Sequence, residues 1–315
     1  MKFIKPKIVI SKCLEFESCR YDGQLISNQH IKQLKDYIDF LPICPEVEIG
    51  MGTPRSPIKI VETKKNIKLY QVETNRDYYS KMNKFSNDFI NNLEEVDGFI
   101  LKSKSPSCGV KTARIYAKEL PSPIIRKGNG IFTKNIIKAF PNHPIEEETR
   151  LNNVFLREHF YTIIFTIADF RKVYNIKELY KFHTKHKYLL MSYNQLAMTK
   201  MGRIAADIKK KSFIIGRDRY YKHLLNIFSK RARYTSNINT LMHVMGYFKN
   251  QLSVKEKKHF LDLLDQYRNK KVPLSSPSAL LASWIYRFNN EYLMKQSFFN
   301  PFPKQLVEPN NSRFI

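Results

Sequence analysis

The chain has 315 residues, 43% of them apolar, which is enough for two domains with ordinary cores and excludes disorder as a description of the whole. Net charge is +26 and uneven, +7 over residues 1–150 and +19 over residues 151–315. The second half therefore attracts polyanions through counterion release, nucleic acid first among them. The most apolar run, Phe160 to Phe170, is too short for a bilayer and carries Asp169, and residues 1–12 lack the continuous apolar run of a signal peptide, so a soluble cytoplasmic protein is expected.

The first 145 residues alternate short strand-like and helix-like segments. Lys7–Ser11 is a compact β-branched run, Asn28–Tyr37 reads as a helix and Asp39–Ile43 as an extended stretch. Ile58–Val61 and Ile67–Tyr70 are expected to pair as a hairpin. Asp77–Glu95 has the apolar spacing of a helix, Val96–Leu101 is the next buried strand, and Ile115–Ala117 and Ser122–Ile124 are short strand candidates. This order predicts an α/β N-terminal domain, residues 1–145, with a small parallel or mixed sheet. Past Pro144 the acidic run Glu146–Glu148 suits a helix N-terminus. Helical periods follow over 149–172, 175–189, 192–211, 215–230, 235–250, 254–270 and 277–297, ahead of a tail with Pro301, Pro303 and Pro309. Residues 146–315 are expected to form a basic all-α C-terminal domain.

All four cysteines, Cys13, Cys19, Cys44 and Cys108, lie in the first half. With no secretory signal, metal or catalytic use outweighs a disulfide framework. Cys13, Cys44 and Cys108 each follow a predicted strand, and loops at the carboxyl ends of parallel strands converge on one crevice. The surrounding prolines and Gly50, Gly52 and Gly109 suit ligand loops rather than cores. Lys12, Arg20, Arg55, Lys102 and Lys104 lie close in sequence and are expected to lower the thiol pKa values. These features predict one metal site; spacing excludes a paired CxxC zinc ribbon but does not separate zinc from iron–sulfur. Cys19 is either a fourth ligand or a bystander in the Asp22-Gly23 turn.

At these residues the sequence resembles the TudS-type thiouracil desulfidases, through Ser11-Lys12-Cys13-Leu14, Arg20-Tyr21-Asp22-Gly23, Cys44-Pro45-Glu46-Val47 with Gly50 and Thr53-Pro54-Arg55, and Ser105-Pro106-Ser107-Cys108-Gly109. The second half resembles the YbgA-type domain through Lys185–Met191, Leu241–Phe248, Pro273-Leu274 and the segment from Tyr292 to Pro301. The two fused in this order are similar to RudS-like tRNA desulfidases. The resemblance implies a [4Fe-4S] cluster on Cys13, Cys44 and Cys108 with one iron free of protein ligand, and argues against Cys19 as an essential ligand. It also implies catalytic acid/base roles for Glu46 and Ser105.

The implied reaction converts 4-thiouridine in tRNA to uridine. A thiocarbonyl sulfur is a soft donor, so an open iron polarises the C–S bond as a Lewis acid without redox change. Water then attacks C4, which requires a base and a proton donor; Glu46 follows a ligand by two residues, and Ser105 relays a proton or orients the water. Glu48 competes with Glu46 for that role. Arg20, Asp22, Arg55 and Lys104 are candidate substrate-binding residues, with loop ordering the alternative for Arg20 and Asp22 and charge balance for Arg55 and Lys104. Lys209–Lys211, Arg217–Lys222 and Lys230–Tyr234 interleave cations with aromatics, a mixture suited to RNA, with an exposed helical face over core tyrosines as the alternative for each segment. The histidines of the second half are expected to pack or lie on the surface. Two other functions compete: desulfidation of free thiouracil or thionucleosides, and a non-enzymatic RNA-binding protein with a structural metal site.

Overall fold

The computed structural model describes residues 2–64, 66–118, 123–208 and 212–307. Contacts divide them into two compact units, one running Lys5–Ala168, the other from Asp169 onward together with residues 2–4.

In the first unit the elements run β1 (Lys7–Ser11), α1 (Gln29–Leu34), β2 (Asp39–Ile43), α2 (Pro45–Glu48), β3 (Ile58–Glu62), β4 (Ile67–Gln71), β5 (Arg76–Asp77), α3 (Tyr79–Asn92), β6 (Gly98–Leu101), β7 (Ala113–Tyr116), β8 (Ile124–Gly128), α4 (Ile131–Ala139), β9 (Ile145–Glu147) and α5 (Val154–Phe170). Two sheets result. One is four-stranded and parallel, in the order β2-β1-β6-β9; the other is mixed, in the order β5-β4-β3-β7-β8. β1 and β6 sit in the middle of the parallel sheet and are buried on both faces, which is why they read as unbroken apolar runs. β3 and β4 form the expected antiparallel hairpin. Ile58, Ile60, Leu69, Ala113 and Ile115 from the mixed sheet share one core with Val9, Phe99, Met82 and Phe132.

Two expectations for the first unit are revised. The acidic run after Pro144 does not open a helix. Ile145–Glu147 extends the parallel sheet beside β6, a 3-10 turn spans Arg150–Asn152, and α5 starts at Val154 with Asn153 Oδ1 accepting from the Phe155 and Leu156 amides at 3.1 Å. The carboxylates instead hold loops: Glu147 Oε1 accepts from the Val110 amide at 2.7 Å and from Thr112, leaving no role for them at a helix end. The strand after Ala117 is β8; Ser122 lies outside the described residues.

The second unit holds α6 (Ile176–Tyr193), α7 (Gln195–Asp207), α8 (Phe213–Ile227), α9 (Tyr234–Met245), α10 (Val254–Arg268), α11 (Ser275–Arg287) and α12 (Glu291–Met294). The single helix expected over 277–297 is broken where Asn289 turns to positive φ and Asn290 caps α12, its side chain accepting from the Leu293 amide at 3.0 Å. Lys209–Lys211 and Pro309 fall outside the described residues. No described helix is long and apolar enough to cross a membrane. The YbgA-type motifs meet in space: Tyr188 of α6 hydrogen-bonds Tyr247 (OH to OH, 3.0 Å), and Tyr247 stacks on Tyr292 of α12.

Several buried polar groups in this unit are paired. His186 Nε2 lies 2.8 Å from Asp169 Oδ2 and its Nδ1 lies 2.8 Å from Ser297 Oγ, while Lys185 also reaches Asp169 at 2.8 Å. His183 Nδ1 lies 2.9 Å from the Tyr220 hydroxyl. These histidines are packing residues, as expected from sequence. Burial and the charges of Lys187 and His186 pull His183 down to about 4, from 6.5. Its neutral form is thus favoured by folding; that stability is complete above pH 6.5 and lost as pH falls towards 4. Urea unfolding is predicted to show a falling midpoint across that window, with a slope reduced in His183→Gln. Equal slopes for the two proteins would remove this assignment.

Candidate active site

Cys13, Cys44 and Cys108 leave the carboxyl ends of β1, β2 and β6, three adjacent strands of the parallel sheet. All three are buried and unbridged, and all line one cavity of about 480 Å³. The cavity also takes in Cys19, Glu46, Arg55, Lys102, Lys104 and Ser105.

Local chemistry fixes each thiol. The Lys12 amide donates to the Ile43 carbonyl at 2.9 Å, joining the ends of β1 and β2 just before Cys13 and Cys44. Cys44 is the residue ahead of α2, whose first position is Pro45. The Cys108 loop is clamped by the start of α4: the Gly130, Ile131 and Thr133 amides donate to the Gly109, Pro106 and Ser107 carbonyls at 2.8, 3.0 and 3.2 Å. This requires glycine at 130, where a Cβ would lie 2.3 Å from the Ser107 oxygen. Ser105 Oγ accepts from the Ser107 and Cys108 amides at 3.1 and 3.0 Å, so its first task is to shape the loop that carries Cys108.

Glu46 and Arg55 tie the loops together. Glu46 Oε2 accepts from Arg55 Nε and Nη2 at 2.9 and 2.6 Å, and Glu46 Oε1 accepts from Ser107 Oγ at 2.9 Å. Arg55 Nη1 donates to the Cys19 carbonyl at 3.0 Å and to the Gly52 carbonyl at 2.9 Å, and Nη2 lies 4.0 Å from Cys44 Sγ. The Arg55 side chain is 4% exposed. Burial disfavours its charge, yet the Glu46 carboxylate outweighs this and raises its pKa. Glu46 lines the cavity and Glu48 does not, which separates the two acid/base candidates by position.

The remaining predicted site residues divide. Lys104 is exposed at the rim, its amide donating to Thr112 Oγ1 at 2.8 Å. Arg20 pairs with Asp22 at 3.1 Å and lies over the Tyr21 ring; Arg20 lines the cavity, whereas Asp22 does not and accepts from the Gln24 amide at 3.1 Å. Asp22 thus orders its own loop.

The expected lowering of the thiol pKa values is corrected. Burial pushes Cys13 up to about 12, with the Cys44 thiol adding and the Lys102 ammonium opposing. Burial and the adjacent Cys44 raise Cys19 to about 12 as well, and Cys108 is raised well above its ordinary value, against a hydrogen bond from Ser11. The cations seen in sequence are largely committed elsewhere: Lys12 pairs with Glu17, Arg20 with Asp22, Arg55 with Glu46 and Lys102 with Glu148. Cys19, whose role the sequence left open, sits with its thiol beside Cys44.

Sequence reasoning missed Ser107, Ser11 and Glu148. Glu148, just past β9, accepts from Ser103 Oγ and N at 2.7 and 2.8 Å and pairs with Lys102, bringing the fourth parallel strand into the site. A three-residue strand is too short to show periodicity, but the acidic run beside a β-branched residue was its signal.

Three buried thiols on one cavity are a donor set for soft metal ions, which exchange for the thiol protons on binding. Among the described residues no group of three His, Cys, Asp or Glu stands ready to hold a single metal ion. The donor chemistry and the shared, cation-lined cavity fit a thiolate-held iron–sulfur group, and the residues that would hold it are Cys13, Cys44 and Cys108.

The family model described as 2-thiouracil desulfurase matches residues 8–148, and that of the protein of unknown function DUF1722 matches residues 187–303. The uncharacterized protein YbgA of Escherichia coli (strain K12) is 26% identical over 130 residues, 40% of this chain and 75% of YbgA. The uncharacterized protein YbbK of Bacillus subtilis (strain 168) is 37% identical over 54 residues, 17% of this chain and 36% of YbbK. A solved structure, the [4Fe-4S]-dependent thiouracil desulfidase TudS, is similar at 24% identity with a TM-score of 0.36, covering 47% of this chain and 94% of that one. Residues 8–148 thus match the 2-thiouracil desulfurase family model and residues 187–303 the DUF1722 model, and the chain is similar to YbgA over 130 residues.

Proposed function

We propose that this thiouracil desulfidase removes sulfur from 4-thiouridine in tRNA, giving uridine, with a [4Fe-4S] cluster held by Cys13, Cys44 and Cys108. The observation that carries the proposal is the convergence of these three thiols, from three adjacent parallel strands, on one cavity. When bound, the cluster supplies a Lewis-acid iron for the thiocarbonyl sulfur. The remaining work falls to the chain. Glu46 accepts the proton of the attacking water through a carboxylate that Arg55 and Ser107 hold still. Ser105, whose oxygen already accepts two amides, keeps its own hydroxyl proton to donate into the cavity it lines. Lys102, anchored by Glu148, lies on the cavity beside Cys13, where it would help balance an anionic cluster.

The charge of the second half, +19 over residues 151–315, supports tRNA over a free base. The aromatic share of that argument is reduced: Tyr220 is fully buried and stacks on Phe170, as does Tyr221, so these rings serve the core. Tyr234 is 46% exposed and remains available for stacking.

Sulfide release from reconstituted protein is predicted to be fast with thiolated tRNA and slower with free 4-thiouridine. Rapid turnover of the nucleoside with none of the tRNA would refute the tRNA substrate. Glu46→Gln keeps an oxygen towards Arg55 and turns its NH2 towards the Ser107 hydroxyl but removes the carboxylate, so kcat per bound iron is predicted to fall about 100-fold or more. An unchanged kcat would make Glu46 purely structural.

A further inference from the structure

The mixed sheet of the first unit packs one face on the core and leaves part of the other accessible, although Val61 on that second face is buried. Ile58, Ile60, Leu69, Ala113 and Ile115 point into the core, so the alternate residues Lys59, Tyr70, Arg114 and Tyr116 point the other way. Register aligns them. Lys59 is opposite Tyr70, Arg114 is opposite Lys127, and the parallel pairing Ile60–Ile115 sets Lys59 beside Arg114 one step earlier. One row across four strands thus reads Tyr70, Lys59, Arg114, Lys127. Tyr116 lies in the next row, with Lys59 Nζ 5.1 Å from its ring centre.

Three features distinguish this face from an ordinary solvated one. It places cations and aromatic rings in register on a rigid sheet, and Arg114 and Lys127 are exposed. Its acidic neighbour, Asp77 opposite Tyr70, spends Oδ1 on the Leu69 and Tyr79 amides at 3.0 and 2.9 Å. Lys59, Arg114 and Tyr116 also line the cavity that holds the cysteines, so the face runs directly into the reaction site. A rigid surface with rings for base stacking and cations one residue apart is what single-stranded nucleic acid requires.

We propose that the open face of this sheet binds single-stranded RNA flanking the reacting nucleotide, with Lys59, Arg114 and Lys127 on phosphates and Tyr116 stacking on a neighbouring base. The RNA grip would then belong partly to the desulfurase domain itself. That the bound RNA flanks a reacting nucleotide rests on the desulfidase reading; the binding of RNA to the sheet does not.

The test is fluorescence anisotropy of a labelled single-stranded oligoribonucleotide with the full chain, over a range of salt. The Lys59→Ala/Arg114→Ala/Lys127→Ala protein is predicted to bind about 10-fold or more weakly, with a log–log salt slope shallower by about 2, since each lost phosphate contact removes about 0.7 on a single strand. The single variants Arg114→Ala and Tyr116→Ala keep the test valid if the triple variant fails to fold. Arg114→Ala should weaken binding and reduce the slope, and Tyr116→Ala should weaken it with the slope kept. Wild-type affinity and slope in all of them would overturn the proposal. So would loss of binding to anionic phosphatidylglycerol vesicles with RNA affinity intact. Sulfide release from thiolated tRNA by the wild-type protein reads the desulfidase assignment separately: its absence, alongside weakened RNA binding in the variants, would remove that assignment and leave the RNA face standing.

Discussion

The ion pair between Arg55 and Glu46 is the constraint on which the site depends. One guanidinium, almost without solvent access, joins the Cys19 carbonyl, the Gly52 carbonyl and the Glu46 carboxylate, and Glu46 passes the link on to Ser107 beside Cys108. Loops that follow β1, β2 and β6 are thereby held in one arrangement. Removing either partner would leave a buried charge uncompensated, a cost of about 3–5 kcal/mol. Glu46 is thus structural whatever its chemistry. A carboxylate that acts on water must also keep its place, and the same two hydrogen-bonding partners serve both needs.

The second support is the clamp of α4 on the Cys108 loop. Three amides at the start of that helix, which have no partner within the helix, satisfy carbonyls of the loop instead. The parallel sheet sets where the thiols emerge, the clamp and the ion pair set their spacing, and burial keeps them dry. Dryness has an electrostatic consequence: unliganded, Cys13 and Cys108 hold their protons more tightly than ordinary thiols. Metal binding at such a site displaces protons, and its affinity rises with pH.

Much of this was legible in the sequence. β1, β2, the hairpin and β6 stood out because β-branched runs bounded by Pro and Gly have few alternative uses. The convergence of Cys13, Cys44 and Cys108 followed from their places after strands. What stayed hidden depended on partners distant in sequence. Glu46 and Ser107 are 61 residues apart and meet through a hydrogen bond that spacing does not show. β9 is three residues long and paired only with β6, so its acids read as the start of a helix. The thiol pKa values were misjudged because sequence proximity of lysine and arginine says nothing of the carboxylates those cations pair with. For Tyr220 the sequence left an RNA-facing and a core position both open: a ring between basic residues on a helix can point inward, and here it does.

The central claim is that three cysteines, and not the fourth, hold an iron–sulfur cluster. Iron content and thiolate–iron visible absorption of anaerobically purified cysteine-to-alanine variants test it directly. Cys13→Ala, Cys44→Ala and Cys108→Ala should each lose iron and colour, and Cys19→Ala should keep both. Loss of the cluster in Cys19→Ala, or a colourless zinc-loaded wild-type protein, would contradict it.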